Sequence, residues 1–145
     1  MIHRVPEPMV VVSIMMRRFA PGMWSSNALS DEVVDGLLAS NLPVVHFDLR
    51  AAKDKDGVLR ALGDQGGFPD YYGRNWDAAY DCLTDLEPAV VLVRGVGTLD
   101  SSTVDTLSHI FGDAAAHWRH GGLTTYVVWD GPASAEAPPL PIHGV

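Results

Sequence analysis

Short apolar runs alternate along the chain with stretches whose apolar positions recur at helical spacing. Residues 9–16 (MVVVSIMM) read as a buried strand, and 19–27, with Pro21-Gly22, as a loop. Ser30-Asp31-Glu32 opens a helix whose apolar positions are Val33, Val34, Leu37 and Leu38, ended by Asn41 and Pro43. Residues 44–49 (VVHFDL) alternate, with His46 and Asp48 on one side and Val45, Phe47 and Leu49 on the other, as in a strand. A short helix over 56–62 is expected to stop at Gly63 and Gly66-Gly67, and another spans 76–83. The run AVVLV at 89–93 has the length and continuity of a strand buried on both faces. Residues 101–118 form the longest helix, with Val104, Leu107, Phe111, Ala114 and Trp118 as its buried stripe. Gly121-Gly122 breaks it before a last strand over 123–129.

Strands separated by helices predict an α/β fold with parallel strands. One domain is expected over residues 9–132, made of an N-terminal extension (9–43) and a core (44–130). Residues 1–8 and the Pro-rich tail 133–145 are expected to be flexible.

The apolar content of 47% supports a real core, and a single cysteine, Cys82, excludes an internal disulfide, so a reducing, cytoplasmic location is expected. Cys82 falls on the apolar side of its helix and is expected as a small buried hydrophobe. Trp24, Trp118 and Trp129 read as packing or partly exposed anchors, and His46 as an ordinary strand histidine. Ten basic against eighteen acidic residues give a net charge of −8. Phosphate backbones and anionic membranes repel such a chain, which disfavours direct nucleic-acid binding; basic proteins attract it. Residues 9–16 are far short of the about 20 apolar residues that span a bilayer, and Arg17-Arg18 follow without a small-x-small cleavage site, so neither a signal peptide nor a membrane span is expected.

Candidate chemistry concentrates in residues 68–86, FPDYYGRNWDAAYDCLTDL. Pro69, Asp70 and Gly73 are turn residues, and Asn75 can cap the helix that follows. Asp77 and Asp81, four apart, project from one helix face with Tyr80 beside them, while Trp76, Ala79, Cys82 and Leu83 make the apolar stripe. The helix dipole favours Asp77, but Asp81 and Asp85 lie toward the end that prefers cations. A solvated acidic face is the plain explanation; the flanking aromatics argue instead for an interface.

The segment Tyr71-Tyr72-Gly73-x-Asn75-x-Asp77-Ala78-x-x-Asp81-Cys82-Leu83-Thr84 resembles the signature of the barstar family, intracellular protein inhibitors of small secreted ribonucleases. The resemblance extends more loosely over 44–130. It implies a small three-stranded parallel sheet packed with helices, to which residues 9–16 could add an extra N-terminal strand. It implies a basic, barnase-like secreted ribonuclease as partner; the lack of any converging acid–base, metal or nucleotide motif separately predicts neither enzyme activity nor cofactor, and the free protein is expected as a monomer. By the same resemblance, Asp81 enters the phosphate site of the ribonuclease, Asp77 meets neighbouring cations and Tyr71 covers an active-site histidine. Tyr80 takes the position of an aromatic contact, Gly73, Asn75 and Thr84 shape or rim the loop and helix, and Asp113 corresponds to an accessory acid on the last helix. Arg74, a cation in the acidic loop, and Leu86, where some members carry an interface aromatic, depart from the family pattern.

Other constellations carry less. His109, Asp113, His117 and His120 lie near one face of the long helix, but one helix supplies metal ligands from one side only, so a solvated face is expected. Asp77 and Asp81 share one short helix with nothing apolar to raise either pKa, unlike an acid–base pair across a cleft. Gly95-Val96-Gly97 lacks the third glycine of a dinucleotide fingerprint. A barstar-like module that binds another basic protein without inhibiting a nuclease is the alternative function.

Overall fold

A computed structural model describes residues 20–26, 29–131 and 137–139. In chain order the elements are β1 (Gly22–Ser26), α1 (Asp31–Leu38), β2 (Val44–Asp48), α2 (Lys55–Gly66), α3 (Trp76–Thr84), β3 (Val90–Arg94), a 3-10 turn (Val96–Thr98), α4 (Ser101–His120) and β4 (Tyr126–Asp130). The four strands form one parallel sheet in the order β1-β4-β3-β2. The α/β class and the extra strand are as expected, but the extra strand is β1, inside the stretch read as a loop. The proposed strand at 9–16 and the flexible segment 1–8 lie outside the described residues.

Helices cover both faces of the sheet, and period-two alternation sorts the strand residues between them. Phe47, Val91, Val93, Val127 and Trp129 pack with Val58, Leu59 and Leu62 of α2, Ala79 and Leu83 of α3, and Leu107, Phe111, Ala114 and Trp118 of α4. Val90, Leu92, Tyr126 and Val128 pack on the other face with Val33, Val34 and Leu37 of α1. β3 lies between β4 and β2, so all five of its residues are buried, which accounts for its unbroken apolar run.

Caps set the helix starts. Ser30 accepts a hydrogen bond from the Val33 amide, and Asp54 from that of Gly57 at 2.8 Å. α2 runs past Gly63, the expected stop, and ends at Gly67, whose φ of +65° is the left-handed cap conformation. Gly63 has a different role: a Cβ there would stand 2.8 Å from the Tyr72 ring, so the helix is smooth at this point to admit that ring.

Both sheet edges are covered in part. The Gln65 side-chain amide donates to the Asp48 carbonyl at 2.9 Å and accepts from its amide, filling the edge of β2. On the other edge the Ser25 amide donates to the Pro138 carbonyl at 2.8 Å, and Ala137 is fully buried. These residues fall within the segment expected as a tail.

A paired charge cluster sits at the carboxyl ends of β2 and β3. Buried Arg94 donates to Asp31 at 2.8 Å, to the Leu29 carbonyl, and through Nε to His46 Nε2 at 3.2 Å. Burial and the Arg94 charge push the His46 pKa down, matching an imidazole that accepts. Arg50 bonds Asp48 through Nε and Nη2, and these bonds hold the Asp48 carboxyl at about 2. Asp31, shared by both arginines, ties the start of α1 to the sheet.

Candidate partner-binding site

The turn and α3 are held rigidly from beneath. The Tyr72 amide donates to the Pro69 carbonyl at 2.9 Å, closing the expected turn. Tyr72 then packs against Gly63 and meets Phe68 edge-on at 5.1 Å between ring centroids. With Tyr72 anchored, its neighbour Tyr71 turns outward and is 86% exposed. Asn75 caps α3 as expected, accepting from the Ala78 amide at 2.8 Å.

Ala79 and Leu83 fix α3 to the core. Thr84 donates its hydroxyl to the Tyr80 carbonyl at 2.9 Å, so this side chain serves the last turn of the helix. Beyond the helix, buried Trp118 of α4 donates from its indole nitrogen to the Leu86 carbonyl at 2.9 Å, joining the two helices that form the site. Leu86 itself is half-buried against the core. Cys82 is half-buried rather than fully buried; burial, then the charges of Asp85 and Asp81, raise its thiol pKa and keep it protonated.

Between α3 and α4 runs an open groove lined by Trp76, Asp77, Tyr80, Asp81, Thr106, His109, Ile110 and Asp113. Of the residues singled out from sequence, it brings together Asp77, Tyr80, Asp81 and Asp113, from two helices. Tyr71, Gly73, Asn75 and Thr84 do not line it. Trp76 is a groove wall as well as part of the apolar stripe, and Lys55 of α2 lies 5.9 Å from its ring centroid. Thr106, His109 and Ile110 were not expected at the partner site; the sequence marks His109 only as a candidate metal ligand on a solvated helix face. Their sequence signal as groove residues is position alone, about one turn (His109, Ile110) and about two turns (Thr106) before Asp113 on the same helix.

The three groove carboxylates are exposed, and none makes a hydrogen bond or ion pair among the described residues. Asp31 and Asp48, at the sheet end, are by contrast neutralised by arginine. Acids left unpaired around aromatic walls offer acceptors to a cationic group from outside. Among the described residues no three His, Cys, Asp or Glu side chains are placed to hold a metal ion. No described helix is long and apolar enough to cross a membrane.

Comparison with known proteins joins this geometry to a family. Residues 42–130, which contain β2 through β4 and both walls of the groove, match the family model described as Barstar (barnase inhibitor). A Bacillus subtilis (strain 168) protein named "Putative ribonuclease inhibitor YrdF" is 41% identical over 63 residues, covering 41% of this chain and 55% of that protein. The chain therefore spans about half the length of the curated relative it matches. With most of the chain inside the family match and the α3 signature set on the expected parallel α/β scaffold, this protein belongs to the barstar family.

Proposed function

We propose that this chain is an intracellular inhibitor of a small, basic, secreted ribonuclease, and that α3 blocks the enzyme by standing in for RNA phosphate. The observation that carries this reading is the groove itself: Asp77, Asp81 and Asp113, unpaired and exposed, converge from two helices beside Trp76 and Tyr80. A ribonuclease grips phosphate with cationic side chains, and a carboxylate held on a rigid helix satisfies the same donors through charge-assisted hydrogen bonds.

Asp81 takes the phosphate position. Asp77 and Asp113 meet cations on either side of it, Tyr80 supplies apolar contact, and outward-turned Tyr71 covers the enzyme's catalytic surface. Gly73, Asn75 and Thr84 act by shaping the loop and holding α3, in keeping with the cap and the Thr84 bond. The net charge of −8 steers the encounter with a basic enzyme. No cofactor or metal enters this mechanism.

The test is titration of barnase-catalysed RNA cleavage with the wild-type protein and with Asp81→Ala. Wild type should abolish cleavage at one-to-one stoichiometry. Asp81→Ala leaves desolvated cations unpaired and should weaken inhibition by roughly 100- to 1,000-fold or more, as for other truncations of buried charge pairs. Equal inhibition by the two proteins refutes phosphate mimicry. Binding without inhibition returns the chain to a module that engages basic proteins for another purpose.

A further inference from the structure

Arg74 breaks local rules at the rim of the acidic face. It is the only non-glycine residue with positive φ among the described residues, at +51°. This left-handed conformation is uncomfortable for a residue with a Cβ, and arginine has no short polar side chain to ease it locally. Arg74 also directly precedes Asn75, the N-cap of α3, so it puts a cation at the positive end of the helix dipole. Its side chain is exposed and makes no hydrogen bond or ion pair among the described residues. Backbone strain and an adverse charge thus coincide at one residue whose side chain gives the fold no hydrogen bond or ion pair among the described residues, and such coincidences gather at functional positions.

Resting on the ribonuclease-inhibitor reading above, we propose that Arg74 is a specificity-determining residue: it disfavours a ribonuclease whose facing rim is wholly basic and selects one that presents a carboxylate there. Arg74 lies three residues after the fully outward Tyr71 and three before Asp77. A partner seated on both therefore passes over it. Like charge opposite Arg74 costs affinity, and a carboxylate opposite it makes a charge-assisted, bidentate pair. Discrimination then comes from repulsion as well as attraction, while Asp77 and Asp81 keep the family-wide contact.

Two measurements test this. The first needs no partner: Arg74→Gly relieves both the strain and the adverse charge, so its thermal midpoint should rise by a few degrees. A lower midpoint means that Arg74 serves the fold, and overturns the proposal. The second uses barnase, and barnase variants in which single basic surface residues are changed to Glu, against wild type, Arg74→Glu and Asp81→Ala. Arg60→Glu, an exposed site on α2, is the charge-matched control. Arg74→Glu should bind unmodified barnase several-fold more tightly than the Arg60→Glu control does. At least one barnase reversal should invert the order, binding wild type better than Arg74→Glu. If Asp81→Ala abolishes binding while Arg74→Glu matches the control against every barnase form, Arg74 is not a selector and the inhibitor reading stands. If Asp81→Ala has no effect, the inhibitor reading fails and this proposal fails with it.

Discussion

Changing Gly63 to alanine sets two effects of opposite sign against each other. In a helix interior, alanine is favoured over glycine by about 1 kcal/mol, so propensity alone predicts a gain for α2. A Cβ at position 63, however, would stand 2.8 and 2.9 Å from two carbons of the Tyr72 ring, against an optimal carbon–carbon separation of about 3.5–4.0 Å. The ring has little room to yield, because Phe68 meets it edge-on and the Pro69–Tyr72 turn holds its backbone. Overpacking of this kind costs about 1–3 kcal/mol, which leaves a net loss of about 0–2 kcal/mol. With Tyr72→Ala the obstacle is gone, and Gly63→Ala should then stabilise by about 1 kcal/mol. The double-mutant cycle should therefore show a coupling of about 1–3 kcal/mol. Urea unfolding followed by the fluorescence of buried Trp118 and Trp129 reads each corner of the cycle, provided that m is unchanged. Equal stabilisation in both backgrounds would show that Tyr72 does not sit on Gly63, and the account of how Tyr71 is turned outward would fall with it.

The remaining expectations concern charge and buried polarity. The Tyr72 hydroxyl is buried without a hydrogen-bond partner among the described residues, so Tyr72→Phe should stabilise the fold by about 1 kcal/mol, read as a higher urea midpoint at unchanged m. Burial also pushes the Tyr72 phenol up to about 12, so its contribution is present below about pH 10 and lost as the pH rises toward 12. The Phe variant should show a flatter alkaline limb. Asp48 is held at about 2 by bonds from Arg50, so its contribution is present above about pH 4 and lost as the pH falls toward 2. Asp48→Asn should flatten that acid limb, and an unchanged acid profile would contradict the assigned pairing. In stopped-flow binding to barnase, Asp77→Ala should weaken the complex less than Asp81→Ala does, and association should slow steeply with added salt. An on-rate indifferent to salt would argue against electrostatic steering.

Much of the scaffold was legible because burial writes itself into apolar spacing. The run around Val90–Arg94 declared a strand buried on both faces, Ser30 and Asn75 declared helix starts, and the stripe from Leu107 to Trp118 declared the long helix. β1 was not legible. Its residues, GMWSS, form no apolar run, and they are a strand because β4 offers a parallel partner from Gly22↔Tyr126 to Ser26↔Asp130. Gly63 and Gly67 look alike in sequence, yet one marks close packing and the other a left-handed helix end.

The candidate site divides along the same line. The sequence by itself determined what is local to one helix: the cap at Asn75, the shared face of Asp77 and Asp81, and the acidic balance of the chain. Spacing along a single helix is set by its 3.6-residue repeat, so no tertiary knowledge was needed. Only the tertiary structure decided that Asp113 faces the same groove, that Trp76 is a wall as well as a core contact, and that Tyr72 is the anchor while Tyr71 is free. These depend on how α4 packs beside α3, and on a glycine opening one helix surface to a ring from the next loop. Such contacts join residues far apart in the chain, and their geometry comes from the shape of the assembled core rather than from any repeat in the sequence.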